Sequence, residues 1–158
     1  MDYPRLVQMA YTAPELAGEM AVALAAASIV FRDNTAYSKK LIKGASIIFE
    51  FALDKNQRET YNANNLMTVL YYNSSGYYDE YMWGATWLYY ATGNWSYLAL
   101  ATDQGLLHDI SMHSDSRVLS WDNKLPVAMM LLIQYAEVIG AFDTLKLFLY
   151  CVKHDVSM

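Results

Sequence analysis

The chain reads as all-α. Segments of 12 to 17 apolar-rich residues recur between capping signals, about six times along 158 residues. No stretch shows the period-two alternation of a half-buried strand. A hydrophobic content of 55% is enough for one domain with a sizeable core and argues against disorder.

The helices can be placed in order. Thr12, Ala13, Pro14 and Glu15 form a capping-box pattern with proline in the first turn, so a helix should start near Ala13. From Leu16 to Phe31 only Glu19 and Ser28 clearly interrupt the apolar character, which predicts burial on every side. Asp33, Asn34 and Thr35 supply a turn and a cap. The second helix carries a stripe of Tyr37, Leu41, Ala45, Ile48 and Ala52, with Lys39, Lys40, Lys43 and Glu50 off it, and should keep one face in water. Such a pair suits the inner and outer helices of a two-layered toroid, or the centre and edge of a plain bundle. Residues 53 to 76 read as a long polar loop, a candidate cleft wall. A third helix spans about Tyr77 to Thr92, closed by Gly93. Asn94 should cap a fourth, running to about His108, followed by an irregular stretch to Ser120. Asp122 reads as the next N-cap, because Pro126 then falls where a missing N–H removes no helical bond. That helix should end near Val138, and a last one carries Phe142, Leu145, Leu149 and Val152 in a stripe.

Charge and cysteine usage narrow the function classes. The net charge is -5 and the 11 basic residues are scattered, so no electrostatic footprint for nucleic acid or an anionic membrane is present. The lone Cys151 pairs with nothing in the chain, and His108, His113 and His154 lack ligand spacing, so neither metal nor cofactor is expected. The apolar run from Met20 to Phe31 is too short to span a bilayer, and no signal-peptide pattern is seen. Two tripeptides, Asn73-Ser74-Ser75 and Asn94-Trp95-Ser96, fit the N-glycosylation acceptor pattern.

The chemistry concentrates in Tyr71 to Gly93, "YYNSSGYYDEYMWGATWLYYATG". Tyr71, Tyr72, Tyr77 and Tyr78 crowd a loop and helix mouth, with Asp79 and Glu80 in the first helical turn, where carboxylates meet the positive end of the dipole. Rings and carboxylates there suit a pyranose, which offers C–H faces for stacking and hydroxyls for hydrogen bonding. An aromatic core with a charge-capped helix would carry the same residues. Asp79 and Glu80 stand about 100° apart around the helix, so they cannot readily face each other across one bond.

Three stretches carry a family resemblance. The Tyr71 to Gly93 segment is similar to "FYNSTGYWDEFVWGGAWLYYATGN" of plant-type glycoside hydrolase family 9 endoglucanases. Ser120-Trp121-Asp122-Asn123-Lys124-Leu125 resembles that family's "FSWDNKL". Met1-Asp2-Tyr3-Pro4-Arg5 with Leu16 to Asp33 resembles the stretch after its Trp-x-x-Pro-Glu-Asp turn. The blocks come in family order and cover about residues 1 to 132, most like the membrane-anchored plant members; 133 to 158 read as divergent. The resemblance implies a six-hairpin (α/α) toroid, of which about half the helices would be present. It also implies inverting hydrolysis of β-1,4-glucans such as cellulose, by enzymes that are extracellular or membrane-anchored. The family's base, in an Asp-Ala-Gly-Asp-like motif, and its acid, near the domain's C-terminus, have no counterpart here, so no catalytic residue is assigned. What the likeness carries over is aromatic: Tyr72, Tyr77 and Trp121 as glucan contacts, with Trp83, Trp87, Tyr89 and Tyr90 left to the core. His108 falls near a family Lys-His-Ala position. Departures include Arg58-Glu59-Thr60-Tyr61 in place of Arg-Gly-x-Tyr, and Val127 where the family has glycine. The expectation is the central part of a catalytic domain, inactive alone and prone to self-association through exposed inner helices. A non-catalytic glucan-binding or helical interaction module is the alternative.

Overall fold

A computed structural model describes residues 12–63, 67–113 and 118–139. It contains α1 (Pro14–Val30), α2 (Thr35–Leu53), a short 3-10 turn at Lys55–Gln57, α3 (Tyr78–Thr92), α4 (Trp95–Ala101), α5 (Gln104–His113) and α6 (Leu125–Ile139). Among the described residues the only β-type pairing is an isolated bridge between Ser120 and Asn123. The last helix expected, around Phe142 to Val152, lies outside the described residues.

Helices α1 and α2 form a hairpin across a tight turn, in which the Asn34 amide donates to Phe31 O at 2.9 Å. Asn34 caps α2 as the sequence predicts, its side chain accepting the Tyr37 amide hydrogen at 3.2 Å. The Ser38 hydroxyl bonds Ser28 O at 2.9 Å and fixes how the two helices align. Small residues set how closely α1 packs. Ala17, Ala21 and Ala25, four apart, share one buried face, and a β-carbon on Gly18 would lie 2.8 Å from Glu80 Cβ on α3.

Helix α3 is the hub, in contact with α1, α2, α4, α5 and α6. Its buried Tyr81, Met82, Ala85 and Leu88 meet Phe49 and Ala52 of α2, and the Tyr81 hydroxyl donates to Ala52 O at 2.6 Å. Phe49 lies over Gly84 so closely that a β-carbon there would sit 2.5 Å from the ring. Gly93 ends α3 with φ of +68°, the left-handed conformation expected of a C′ glycine.

Four expectations about the helices are corrected. Among the described residues helix α1 is not buried on every side: Met20 and Val30 are exposed, while the face packed against α2 and α3 holds the buried Ala17, Ala21 and Ala25. Its N-cap is Ala13 with no side-chain capping bond, since Glu15 is turned toward the loop at Tyr61 instead. The single helix expected after Asn94 breaks at Thr102, where Asp103 accepts the Leu106 amide hydrogen at 2.9 Å and starts α5. This carries helix to His113, into the stretch expected to be irregular. Finally, Asp122 is not the cap of α6: Asn123 Oδ1 accepts from Leu125 N at 3.1 Å, and Asp79 Oδ2 from Lys124 N at 2.7 Å.

Candidate functional site

The N-terminal ends of α1, α3 and α6 meet the 58–77 loop at one place. Each end brings acidic residues, and the fold uses them as acceptors for loop amides. Glu15 Oε1 accepts from Tyr61 N at 2.5 Å, across 46 residues of chain. Both Asp122 carboxylate oxygens accept from Ser75 N at 3.1 Å. Asp79 holds the Lys124 amide. The Lys124 ammonium donates to Trp121 O and forms an ion pair with Glu19 at 2.8 Å. That pair is close but poorly aligned, so Glu19 Oε1 gains charge neutralisation without a true hydrogen bond. Asn62 completes the loop: its Nδ2 donates to Asn73 Oδ1 at 3.0 Å and its Oδ1 accepts from Ser74 N at 3.2 Å.

These ties place two rings side by side. Trp121 packs on Tyr72 with centroids 5.2 Å apart and planes tilted by 48°, and Tyr61 meets Tyr72 in an edge-type contact at 6.3 Å. Trp121 is 57% exposed and Tyr72 half-buried, so together they present an aromatic surface to solvent. Tyr77 is placed differently. At 8% exposure it packs on Tyr78 and Tyr81 and its hydroxyl donates to Arg58 O at 3.2 Å, so it supports the wall from behind. Burial raises its hydroxyl pKa to about 12. Of the four rings assigned to the core, Tyr89 is buried, Trp83 and Trp87 partly so, and Tyr90 exposed at its edge. His108 is exposed on α5; the side chain of His113 and all of His154 lie outside the described residues.

The sequence places Asp79 and Glu80 beside the rings at the helix mouth, but it does not show that they are buried or that Glu15 joins them. Glu80 is 3% exposed, and its carboxyl is held well above the usual carboxylate range, first by burial and then by the charge and hydrogen bond of Asp79. Burial also raises Glu15, against the lowering effect of the Tyr61 amide. One oxygen of each, Glu15 Oε2 and Glu80 Oε2, has no hydrogen-bond partner. The Tyr72 hydroxyl is pushed up by burial and then by Glu15, Glu80, Asp122 and Glu19, so all four acids act on that ring. The signal was available in the spacing: Glu15 and Glu80 interrupt otherwise apolar helices, where an acid is buried only with partners. Among the described residues no group of three or more His, Cys, Asp or Glu side chains is arranged to hold a metal ion.

The structure is an all-α protein with an acid-tied aromatic shelf where its helix ends meet, and comparison gives the family. Residues 1–154 match the sequence profile described as Glycosyl hydrolase family 9, and the chain belongs to that family. It is 56% identical over 135 residues to Endoglucanase 12 of Oryza sativa subsp. japonica, covering 84% of this chain and 22% of that protein. Endoglucanase 25 of Arabidopsis thaliana is 45% identical over 136 residues, with the same two coverages of 84% and 22%. In structure the chain is similar to an endoglucanase of the termite Nasutitermes takasagoensis, with a TM-score of 0.69 and 36% identity over 85% of this chain and 30% of that one. The chain thus spans less than a quarter of the length of these plant relatives. Its helices are part of the family's (α/α) six-hairpin toroid.

Proposed function

We propose that this chain forms one wall of the substrate cleft of an endo-β-1,4-glucanase, with Tyr72 and Trp121 stacking on the sugar rings of a cellulose-like chain. The observation that carries the reading is the Trp121–Tyr72 pair at 5.2 Å, part exposed and held by backbone bonds from Asp122, Asp79 and Lys124. Two adjacent rings give a pyranose an apolar face to cover, worth about 0.5–1.5 kcal/mol per stacked pair. Tyr77 and Asn62 hold the loop from below.

Within this wall the acids position; they do not transfer protons. Inverting hydrolysis needs an acid and a base set about 6.5–9.5 Å apart on opposite sides of the bond. Asp79 and Glu80 are buried neighbours in one helical turn, and Asp79 is already used by Lys124. Hydrolysis by the whole enzyme, in an extracellular or membrane-anchored setting, is part of the proposal. Among the described residues no helix is long and apolar enough to cross a membrane.

Titration with cellohexaose, read by tryptophan fluorescence, tests the wall. Saturable quenching that weakens about 3- to 10-fold in Trp121→Ala and in Tyr72→Ala is the expected result. Unchanged affinity in both variants would overturn it. Hydrolysis of carboxymethylcellulose by this chain alone would show that proton transfer had been misplaced.

A further inference from the structure

Along the sequence the basic residues read as scattered, but the fold gathers four of them at the end of the α1–α2 hairpin. Lys43 lies four residues from Lys39 and three from Lys40, so all three share one face of α2, turned away from the buried Ala45, Phe49 and Ala52. Arg32 stands in the turn before them. All four are exposed, and among the described residues none is in an ion pair. From residue 31 to residue 49 the sole acid is Asp33, and the next, Glu50, lies about two turns beyond Lys43. In a chain of net charge -5 the hairpin end is therefore a local basic patch. Two rings adjoin it. Phe31 and Tyr37 meet edge to face with centroids 5.2 Å apart, and are 48% and 45% exposed. The turn that carries them is fixed: Arg32 N donates to Ile29 O at 3.3 Å, and Asn34 holds the Tyr37 amide.

We propose that the end of the α1–α2 hairpin binds an anionic polysaccharide, one whose sugar rings carry carboxylates. Phe31 and Tyr37 lie against the sugar rings while Arg32, Lys39, Lys40 and Lys43 meet the carboxylates. Such a polymer repeats an apolar C–H face and a negative charge from sugar to sugar, and these side chains offer the complement of both. Lysine ammoniums on flexible stems can follow the repeat, and the planar fork of arginine takes a carboxylate through two hydrogen bonds. A single exposed ion pair is weak, but several along one polymer act together. The shape of the patch favours a polysaccharide over an anionic bilayer. A bilayer takes up apolar side chains that project into it, whereas the two rings lie against each other, each about half covered, and Val30 alone beside them is mostly exposed. The 17 residues of α1, roughly 25 Å, separate this end from Glu15 and the wall, so a polymer held here leaves the aromatic shelf free. The proposal does not rest on the glucan reading.

Binding of the full chain to immobilised polygalacturonate, followed by biolayer interferometry, tests the patch, with circular dichroism melts checking that each variant folds. Wild type should bind at low salt and lose affinity as salt rises to about 0.15 M and beyond. The triple variant Lys39→Gln, Lys40→Gln, Lys43→Gln should bind about tenfold more weakly, while Lys39→Arg, Lys40→Arg, Lys43→Arg retains binding. Phe31→Ala should weaken it about threefold. Excess neutral cellohexaose should leave the polymer bound, which separates this site from the Tyr72–Trp121 shelf. No binding by wild type, equal affinity of the glutamine triple, or displacement by cellohexaose would each overturn the proposal. Binding to vesicles containing anionic lipid with none to polygalacturonate would overturn it too, and assign the patch to a membrane.

Discussion

Gly18 lies where α1 crosses the first turn of α3. An alanine there tests whether the close approach of these helices sets the site. The added β-carbon would lie 2.8 Å from Glu80 Cβ and 3.3 Å from the Glu80 carbonyl oxygen. Carbon atoms rest about 3.5–4.0 Å apart, so the helices must separate by roughly 0.7 Å or more. Neither obstructing atom is the free end of a flexible side chain, so the backbone has to move. Overpacking of this kind costs about 1–3 kcal/mol, and relief of glycine's entropy offsets about 0.5–1 kcal/mol of it. Gly18→Ala should therefore destabilise by about 1–2 kcal/mol, a Tm fall of roughly 2–8 °C for a chain of this size. Gly44→Ala is the control: its β-carbon would meet only Leu24 Cδ1 at 3.4 Å, an ordinary contact, so Tm should hold or rise. Thermal melts followed by circular dichroism read both. A Gly18→Ala protein melting at or above wild type would refute the argument from close packing.

The buried acids yield further expectations. Glu80 keeps its proton in the folded state, while its ordinary value is 4.5, so above that pH unfolding releases a proton and stability falls as pH rises toward the folded-state pKa. Glu80→Gln has no proton to lose, so it should gain on wild type as pH climbs from about 5 to about 8, at up to about 1.4 kcal/mol per pH unit. Urea melts at the two pH values decide it, and parallel curves for the two proteins would refute the assignment. Asp79→Ala removes the acceptor of the Lys124 amide and should cost about 1.5–3 kcal/mol in the same melts. The fluorescence test of Trp121 and Tyr72 stands with these.

Much of the helical frame was legible because its signals are local. The Asn34 cap acts within three residues, and Gly93 takes the left-handed turn that ends α3. The stripe through Ala45 and Ala52 does face the core, but Tyr37 at its head is exposed and the fully buried Phe49, one position off it, was passed over. Phe49 is drawn inward by Gly84, 35 residues later, and no local period could show that. The misread residues fail for a common reason. Glu15 and Asp122 have the chemistry of N-caps, yet both spend their oxygens on distant loop amides, at Tyr61 and Ser75. A carboxylate accepts from whichever N–H is closest in the fold, and sequence distance does not rank the candidates.

The same reasoning explains why the site is one object, though the chain carries it in three separate stretches. Trp121 and Tyr72 sit on loops 49 residues apart, and stacking of about 1 kcal/mol could not by itself order two loops whose backbones each cost about 1–2 kcal/mol per residue to fix. The ordering comes from charge-assisted bonds to backbone amides: Asp122 to Ser75, Asp79 to Lys124 and Glu15 to Tyr61, each joining a helix end to a loop or to the start of the next helix. Burying so many acids together is tolerable because Lys124 neutralises one side and Glu80 holds its proton. The exposed rings are therefore only as well placed as the acids behind them.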